Sequence, residues 1–253
     1  MTTYIAQLSD SHITTGALGA GPAAGLQLAL ARVMGLDPRP DCVVITGDLT
    51  DHGRPDEYAA LREIIGDFPL PLHLMTGNHD CRRPLLEAFG GEAHYAVEYP
   101  EFTVVALDSL VEGSPAGRLG AAQLSWLDDV LRRRPDVPAL LGLHHPPMPI
   151  GIRFLDGMRL LDGDALRKVV AAHDNVARVM AGHVHRPVTA AFAGTVLTVA
   201  PSLWRQTGLL LNSDEPPGYL AEPTGFLLHM IDGDDCVTHT VQVSHAAALL
   251  GAF

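Results

Sequence analysis

Cysteine is scarce in this chain of 253 residues: Cys42, Cys81 and Cys236 stand far apart and form no C-x-x-C pair. That spacing argues against a disulfide framework and makes a reducing, cytoplasmic setting the expectation. Positive charge is short too, with 17 Lys and Arg against 29 Asp and Glu and a formal net charge of −12. A surface of that sign disfavours duplex nucleic acid or an anionic membrane as the main partner. No apolar run reaches the length of a membrane span, and no basic segment precedes a long apolar stretch at the N-terminus. Neither a transmembrane helix nor a signal peptide is therefore expected. There is no internal repeat, no low-complexity tract and no G-x-S-x-G motif, which disfavours a serine hydrolase.

What is present is a globular composition, 47% hydrophobic and 18% charged. The length is ample for a continuous core, and we read residues 1–253 as one domain. Thirteen histidines are the most informative count, because imidazole is the commonest metal ligand.

The histidines gather where apolar runs end. Tyr4 to Ser9 reads as a strand and runs into Asp10-Ser11-His12. The β-branched run Cys42 to Thr46 reads as a buried strand and ends on Gly47-Asp48-Leu49-Thr50-Asp51-His52-Gly53. Leu70 to Thr76 delivers Gly77-Asn78-His79-Asp80, Pro138 to Leu143 delivers His144-His145-Pro146-Pro147, and Val176 to Ala181 delivers Gly182-His183-Val184-His185. Helices are expected over about 22–35, 55–68, 121–134 and 162–173, and strands over 94–99, 102–109, 188–193, 195–200, 226–231 and 236–243. From about residue 200 to 253 a C-terminal excursion precedes the closing strands, and a loop as long as Ser202 to Thr224 is usually functional or part of an interface. Gly19 to Ala24 fits a loose dinucleotide-binding pattern. It stands ten residues past its strand, so we read it as a loop leading into a helix.

Singly, each fragment reads as an ordinary turn. Five of them at strand ends of one α/β chain point to one crevice, since the C-terminal edges of parallel strands converge. Aspartate, asparagine and histidine together suit Mn, Fe, Zn or Co and disfavour soft copper. Bound cations would also give an acidic protein the local positive charge that an anionic substrate requires.

In the order and spacing of all five blocks the chain resembles the calcineurin-like metallophosphoesterases over nearly its full length. Within them it looks most like the class III cyclic-nucleotide and glycerophosphodiester phosphodiesterases. The resemblance implies a four-layer α/β/β/α sandwich of two mixed sheets with two metal ions at its top. It implies Asp10, His12 and His185 on one ion, Asn78, His144 and His183 on the other, and Asp48 bridging them. His144 is preferred to His145 because the family's ligand stands two residues before the proline. His79 would stand at the substrate, with the Asp51 carboxylate fixing its tautomer. Two ions about 3.5–4 Å apart would clamp a small phosphodiester and lower the pKa of a bridging water. Phosphoprotein phosphatases of the superfamily carry an arginine where this chain has His52, which favours a diester; Arg54 nearby tempers the argument. A phosphomonoesterase and a non-catalytic scaffold are the competing readings, and a homodimer or higher assembly is suggested by resemblance alone.

Overall fold

Strand periodicity explains how the layers form. Side chains of Val43 and Ile45 point one way from their strand and those of Cys42 and Val44 the other, so the strand is buried on both faces. The computed structural model describes residues 2–233 and 235–244. Its elements follow in the order β1 (Thr3–Leu8), α1 (Ala20–Met34), β2 (Cys42–Ile45), α2 (Pro55–Ile65), β3 (Leu72–Leu74), α3 (Arg82–Phe89), β4 (Tyr95–Glu98), β5 (Thr103–Ala106) and α4 (Gly120–Arg133). The second half carries β6 (Ala139–Gly142), α5 (Arg153–Asp156), α6 (Gly163–Val170), β7 (Val176–Ala181), β8 (Val188–Phe192), β9 (Thr195–Val199), β10 (Gln206–Thr207), β11 (Tyr219–Leu220), β12 (Gly225–Asp232) and β13 (Asp235–Gln242).

Two mixed sheets result, one ordered β13-β12-β1-β2-β3 and the other β4-β5-β6-β7-β9-β8. A first apolar cluster joins β1 and β2 to α1, α2 and α3, a second joins β5, β6, β7 and β9 to α4 and α6, and a third lies between the sheets. These three interfaces make the four-layer α/β/β/α sandwich. Each large side chain buried in them contributes about 1.5–3 kcal/mol. Strands β1, β2 and β3 run parallel, as do β5, β6, β7 and β9, so their C-terminal ends share an edge.

Most boundaries fall within a few residues of expectation. Helix α3 is an addition, and its Pro84 sits in the first turn, where a missing N–H costs little. The run Arg132-Arg133-Arg134 reads in sequence as a solvated helix end, but Arg134 donates to the carbonyls of Tyr99 and Pro100 and clips the β4–β5 turn. The excursion expected from about residue 200 holds the short ribbon β10–β11. Its closing strands are described as far as Ser244, and residues 245–253 lie outside the described residues. No helix among the described residues is long and apolar enough to cross a membrane.

Between the sheets the apolar layer is interrupted by His229. Its two ring nitrogens lie 2.9 Å from Thr238 Oγ1 and 2.9 Å from Gln7 Oε1. Burial, and then the Arg178 charge, push this imidazole down to about 3, so it folds neutral. A histidine depressed in this way contributes stability that is full above its unfolded pKa of about 6.5 and is lost as pH falls toward the folded value. We expect His229→Gln to flatten the pH dependence of unfolding between pH 4 and 6 by up to about 1.4 kcal/mol per unit. Denaturant titrations at several pH values check this, and parallel wild-type and variant slopes would refute it.

Candidate metal centre

All five fragments come together. Asp10 and His12 follow β1, Asp48 follows β2, Asn78 and His79 follow β3, His144 follows β6, and His183 and His185 follow β7. The parallel pairing of β1 with β2 continues past the strands: Asp10 N donates to Gly47 O at 3.1 Å and His12 N to Asp48 O at 2.9 Å. Two glycines permit the close approach. Gly47 has φ +90°, and a Cβ there would lie 2.6 Å from His144 Nδ1; one on Gly77 would lie 2.2 Å from Asp48 Oδ1. Six non-glycine residues among those described have positive φ, and five are Asp10, His12, Asp48, His183 and His185. Backbone strain thus concentrates on the metal-type side chains, as it does at functional sites.

The hydrogen-bond network assigns the protons. His12 Nδ1 donates to Asp51 Oδ1 at 3.1 Å, His144 Nδ1 to Thr46 O at 2.8 Å, and His185 Nδ1 to Arg205 O at 2.9 Å. In the neutral rings each Nε2 therefore presents a lone pair. Those lone pairs face other acceptors. His12 Nε2 lies 3.0 Å from His185 Nε2 and 3.6 Å from Asp48 Oδ2; His185 Nε2 lies 3.4 Å from Asp10 Oδ1. His144 Nε2 lies 3.3 Å from Asp48 Oδ2, 3.1 Å from Asn78 Oδ1 and 3.2 Å from His183 Nδ1. Buried acceptors pointed at one another are stable only around cations. The donor set fits a pair of metal ions.

The electrostatics agree. Burial opposes ionisation of Asp48, but the charge on His144 and His12 overcomes it and holds the carboxyl well below its usual range. Burial alone would lower His144, yet Asp48 and then Asp10 raise it to about 9. The same focus of negative charge that attracts a metal ion attracts a proton. Burial and the neighbouring His144 push His183 down to about 3.

His145 makes no ion pair with Asp48, although one of its ring nitrogens lies within 4.8 Å of ring nitrogens of His144 and His183. Its Nδ1 lies 2.8 Å from Ser109 Oγ, and a Cβ on Gly117 would strike its ring. Its Nε2 is buried without a partner, as is that of His183.

Asp51 differs from expectation. Its carboxylate stands 3.9 Å from His79 Nδ1, beyond a hydrogen bond, and serves His12 instead. His79 Nδ1 is held by the main-chain carbonyl of Asp51 at 2.9 Å, and its backbone N–H reaches Asp48 Oδ1 at 2.9 Å. Burial lowers His79, but the charge of Asp48 and the Asp51 contacts raise it above the ordinary value. Second-layer carboxylates of this kind are worth about 10–100-fold in metal affinity. We expect Asp51→Ala to weaken retention of one ion by that factor, read by metal analysis after dialysis against graded chelator; unchanged retention would remove Asp51 from this role.

Sequence reasoning missed Asp80 and Arg205. Asp80 collects the N–H groups of Leu49, Thr50 and Gly77 at 2.9–3.0 Å, and so ties the loop after β2 to the loop after β3. Its place in Gly77-Asn78-His79-Asp80 was the available signal. Arg205 was hidden in the excursion; its guanidinium stacks 3.8 Å over the Tyr219 ring, which lies 5.8 Å from His185. The Gly16 to Gly25 stretch, which in sequence reads as a loop before a helix, is already helical from Ala20, and it packs against this excursion with a Gly21 Cβ position only 2.1 Å from the Trp204 ring. Asp108 ends its strand in the sequence, a place open to a rim residue without requiring one; here it accepts from Thr76 Oγ1 at 2.6 Å and pairs with Arg82.

Comparison with known proteins bears on this geometry. The sequence profile described as calcineurin-like phosphoesterase matches residues 3–187. A probable glycerophosphodiester phosphodiesterase, GpdQ, of Arcobacter nitrofigilis is 30% identical over 93% of this chain and 92% of its own length. The 3′,5′-cyclic adenosine monophosphate phosphodiesterase CpdA of Pseudomonas aeruginosa is 34% identical over 72% of this chain and 69% of its own. Among solved structures, a dimetal phosphatase from Danio rerio superposes with a TM-score of 0.66 at 18% identity, covering 96% of this chain and 99% of that one. That last likeness concerns the fold.

Proposed function

This chain belongs to the calcineurin-like phosphoesterase family, and from that premise we propose that it hydrolyses small phosphodiesters, 3′,5′-cyclic nucleotides or glycerophosphodiesters, at two metal ions. The observation that carries the proposal is the place of Asp48 Oδ2, 3.6 Å from His12 Nε2 and 3.3 Å from His144 Nε2. One carboxylate oxygen can serve both halves of the centre. Asp10, His12 and His185 would hold one ion and Asn78, His144 and His183 the other, drawn from Mn, Fe, Zn or Co by the hardness of the donors. When bound, the ions supply Lewis acidity that offsets charge on the phosphoryl oxygens and makes water a stronger acid.

The protein's own groups do the rest. Water oxygen bonds to phosphorus, the opposite P–O ester bond breaks, and the departing alkoxide takes a proton. His79 is the group for that proton. The Asp51 carbonyl anchors its Nδ1, which leaves Nε2 for the leaving oxygen, and its side chain is partly exposed at the centre's mouth. A positioned acid of this kind is worth about 10²–10⁴-fold. We expect His79→Ala to lower kcat on an aryl diester by that factor while two ions per chain are retained. Loss of metal together with activity would make His79 a structural residue.

Diester rather than monoester is supported by the loop after Asp48. His52 stands where a phosphate-clamping arginine would, and it hydrogen-bonds Glu57 Oε1 at 2.9 Å. Arg54 is drawn off to the same carboxylate at 3.0 Å and to Asp56 at 3.6 Å, so this segment offers no free guanidinium for a dianion. The test is a panel of cyclic nucleotides, glycerophosphodiesters and paired aryl diesters and monoesters with each of the four metals. Faster monoester turnover would favour a phosphomonoesterase, and none at two bound ions per chain a scaffold. A homo-oligomer belongs to the same proposal, supported by the exposed Leu209, Leu210 and Leu211 beside the ribbon, and a reducing cytosol by three free cysteines.

A further inference from the structure

We infer that the cleft between β8–β9 and the β12–β13 hairpin, away from the histidines, is a binding site for a small oxyanion of the phosphate type seated on Arg178. Arg178 lies on β7 with Met180, on the face turned toward the other sheet, and is only 4% exposed. It makes one hydrogen bond, from Nη2 to the Cys236 carbonyl, and its Nε–H is buried with no partner. No carboxylate of the described residues forms an ion pair with it. A buried charge without a counter-ion is unfavourable, and an orphaned N–H adds to that cost. The guanidinium's field is felt at His229, where it reinforces the effect of burial.

Arg178 stands between two cavities of opposite character. The larger, about 950 Å³, is lined by Glu101, Asp136, Asp174 and Asp235 as well, and those carboxylates repel an anion. The smaller, about 320 Å³, contains no acidic residue; its polar lining is Arg178 with Thr189, Thr198, Thr238 and Thr240. Thr198 and Thr238 give their hydroxyl protons to Gln7 and His229, which leaves Thr189 and Thr240 to donate beside the guanidinium's planar fork of N–H groups, the chemistry that receives tetrahedral oxyanions. With a net charge of −12 around it, a pocket free of carboxylates and built on a cation selects anions locally.

This site is independent of the diesterase proposal, and its test reads binding, not turnover. Metal-loaded protein is titrated with sodium sulfate against sodium chloride of equal ionic strength, following the thermal midpoint, with glycerol 3-phosphate as a second arm. A saturable rise with sulfate is expected, weakened at least about ten-fold in Arg178→Met, whose kcat and KM on an aryl diester stay at the parental values. Saturation by sulfate alone assigns a free anion, and by both probes a pocket that tolerates an ester. Should Arg178→Met fail to fold, Arg178→Lys keeps the charge without the fork, and selenate-soaked crystals are to show anomalous density in the smaller cavity, beside the Arg178 guanidinium. Equal affinity in the variant, a rise that never saturates, or selenate found only at the histidines would overturn the site.

Discussion

Asp48→Asn is expected to strip metal from both halves of the centre at once and to lower kcat by about 10³-fold or more, beyond the 10–100-fold of a supporting residue. The substitution keeps shape and removes charge. Asp48 Oδ2 lies within 3.6 Å of both His12 Nε2 and His144 Nε2, while its Oδ1 receives the His79 N–H. The Asp48 charge is also the leading influence that raises His144, so the variant's His144 should titrate nearer its ordinary value. Metal analysis should find far fewer than two ions per chain under conditions that load the parent. A variant that keeps two ions, or turns over like the parent, would make Asp48 the strand-ending turn residue its local sequence permits.

The second large effect concerns stability. Asp80→Ala should cost about 3–4 kcal/mol, because it strands donors that cannot reach water. Besides three backbone N–H groups, the carboxylate accepts the Thr50 hydroxyl and the Tyr58 hydroxyl, each at 3.0 Å. Burial and the Asp48 charge raise Asp80 to about 6, against the pull of those N–H donors, so it is largely ionised at neutral pH. Tyr58→Phe removes one of the carboxylate's donors and the acceptor of the Cys81 N–H at 2.8 Å, and should cost less, about 1–2 kcal/mol. Denaturant unfolding at fixed metal concentration compares the two, since bound metal adds its own stabilisation. Equal losses in the two variants would show that the carboxylate does not organise the two loops.

Much of the centre was legible because its signals are local. A β-branched or apolar run that stops at Gly-Asp, Gly-Asn-His or Gly-His-x-His declares both a strand and the side chains it delivers, and chain polarity fixes the end at which they emerge. Helix α3 was not legible, since Arg82-Arg83-Pro84 looks like a loop until its Leu85 finds the core behind α2. Arg134 misleads for a similar reason: an arginine at a helix end is solvated unless carbonyls from another strand come to it.

By itself, then, the sequence determined which residue types stand at which strand ends, and the family resemblance those residues carry implied the sandwich and the seven candidate ligands. The tertiary structure decided who touches whom. Parallel pairing of β1 and β2 carries the loop after Asp10 alongside the loop after Asp48, with Ile13 bridged to Thr50, and this brings the Asp51 carboxylate to His12 rather than His79. It likewise gave Arg54 to Glu57, Asp80 to two loops, and Arg178 to a cleft without a counter-charge. Strand ends are encoded in consecutive residues, whereas a hydrogen-bond partner depends on registers between segments tens of residues apart, where a shift of one residue reverses every side chain.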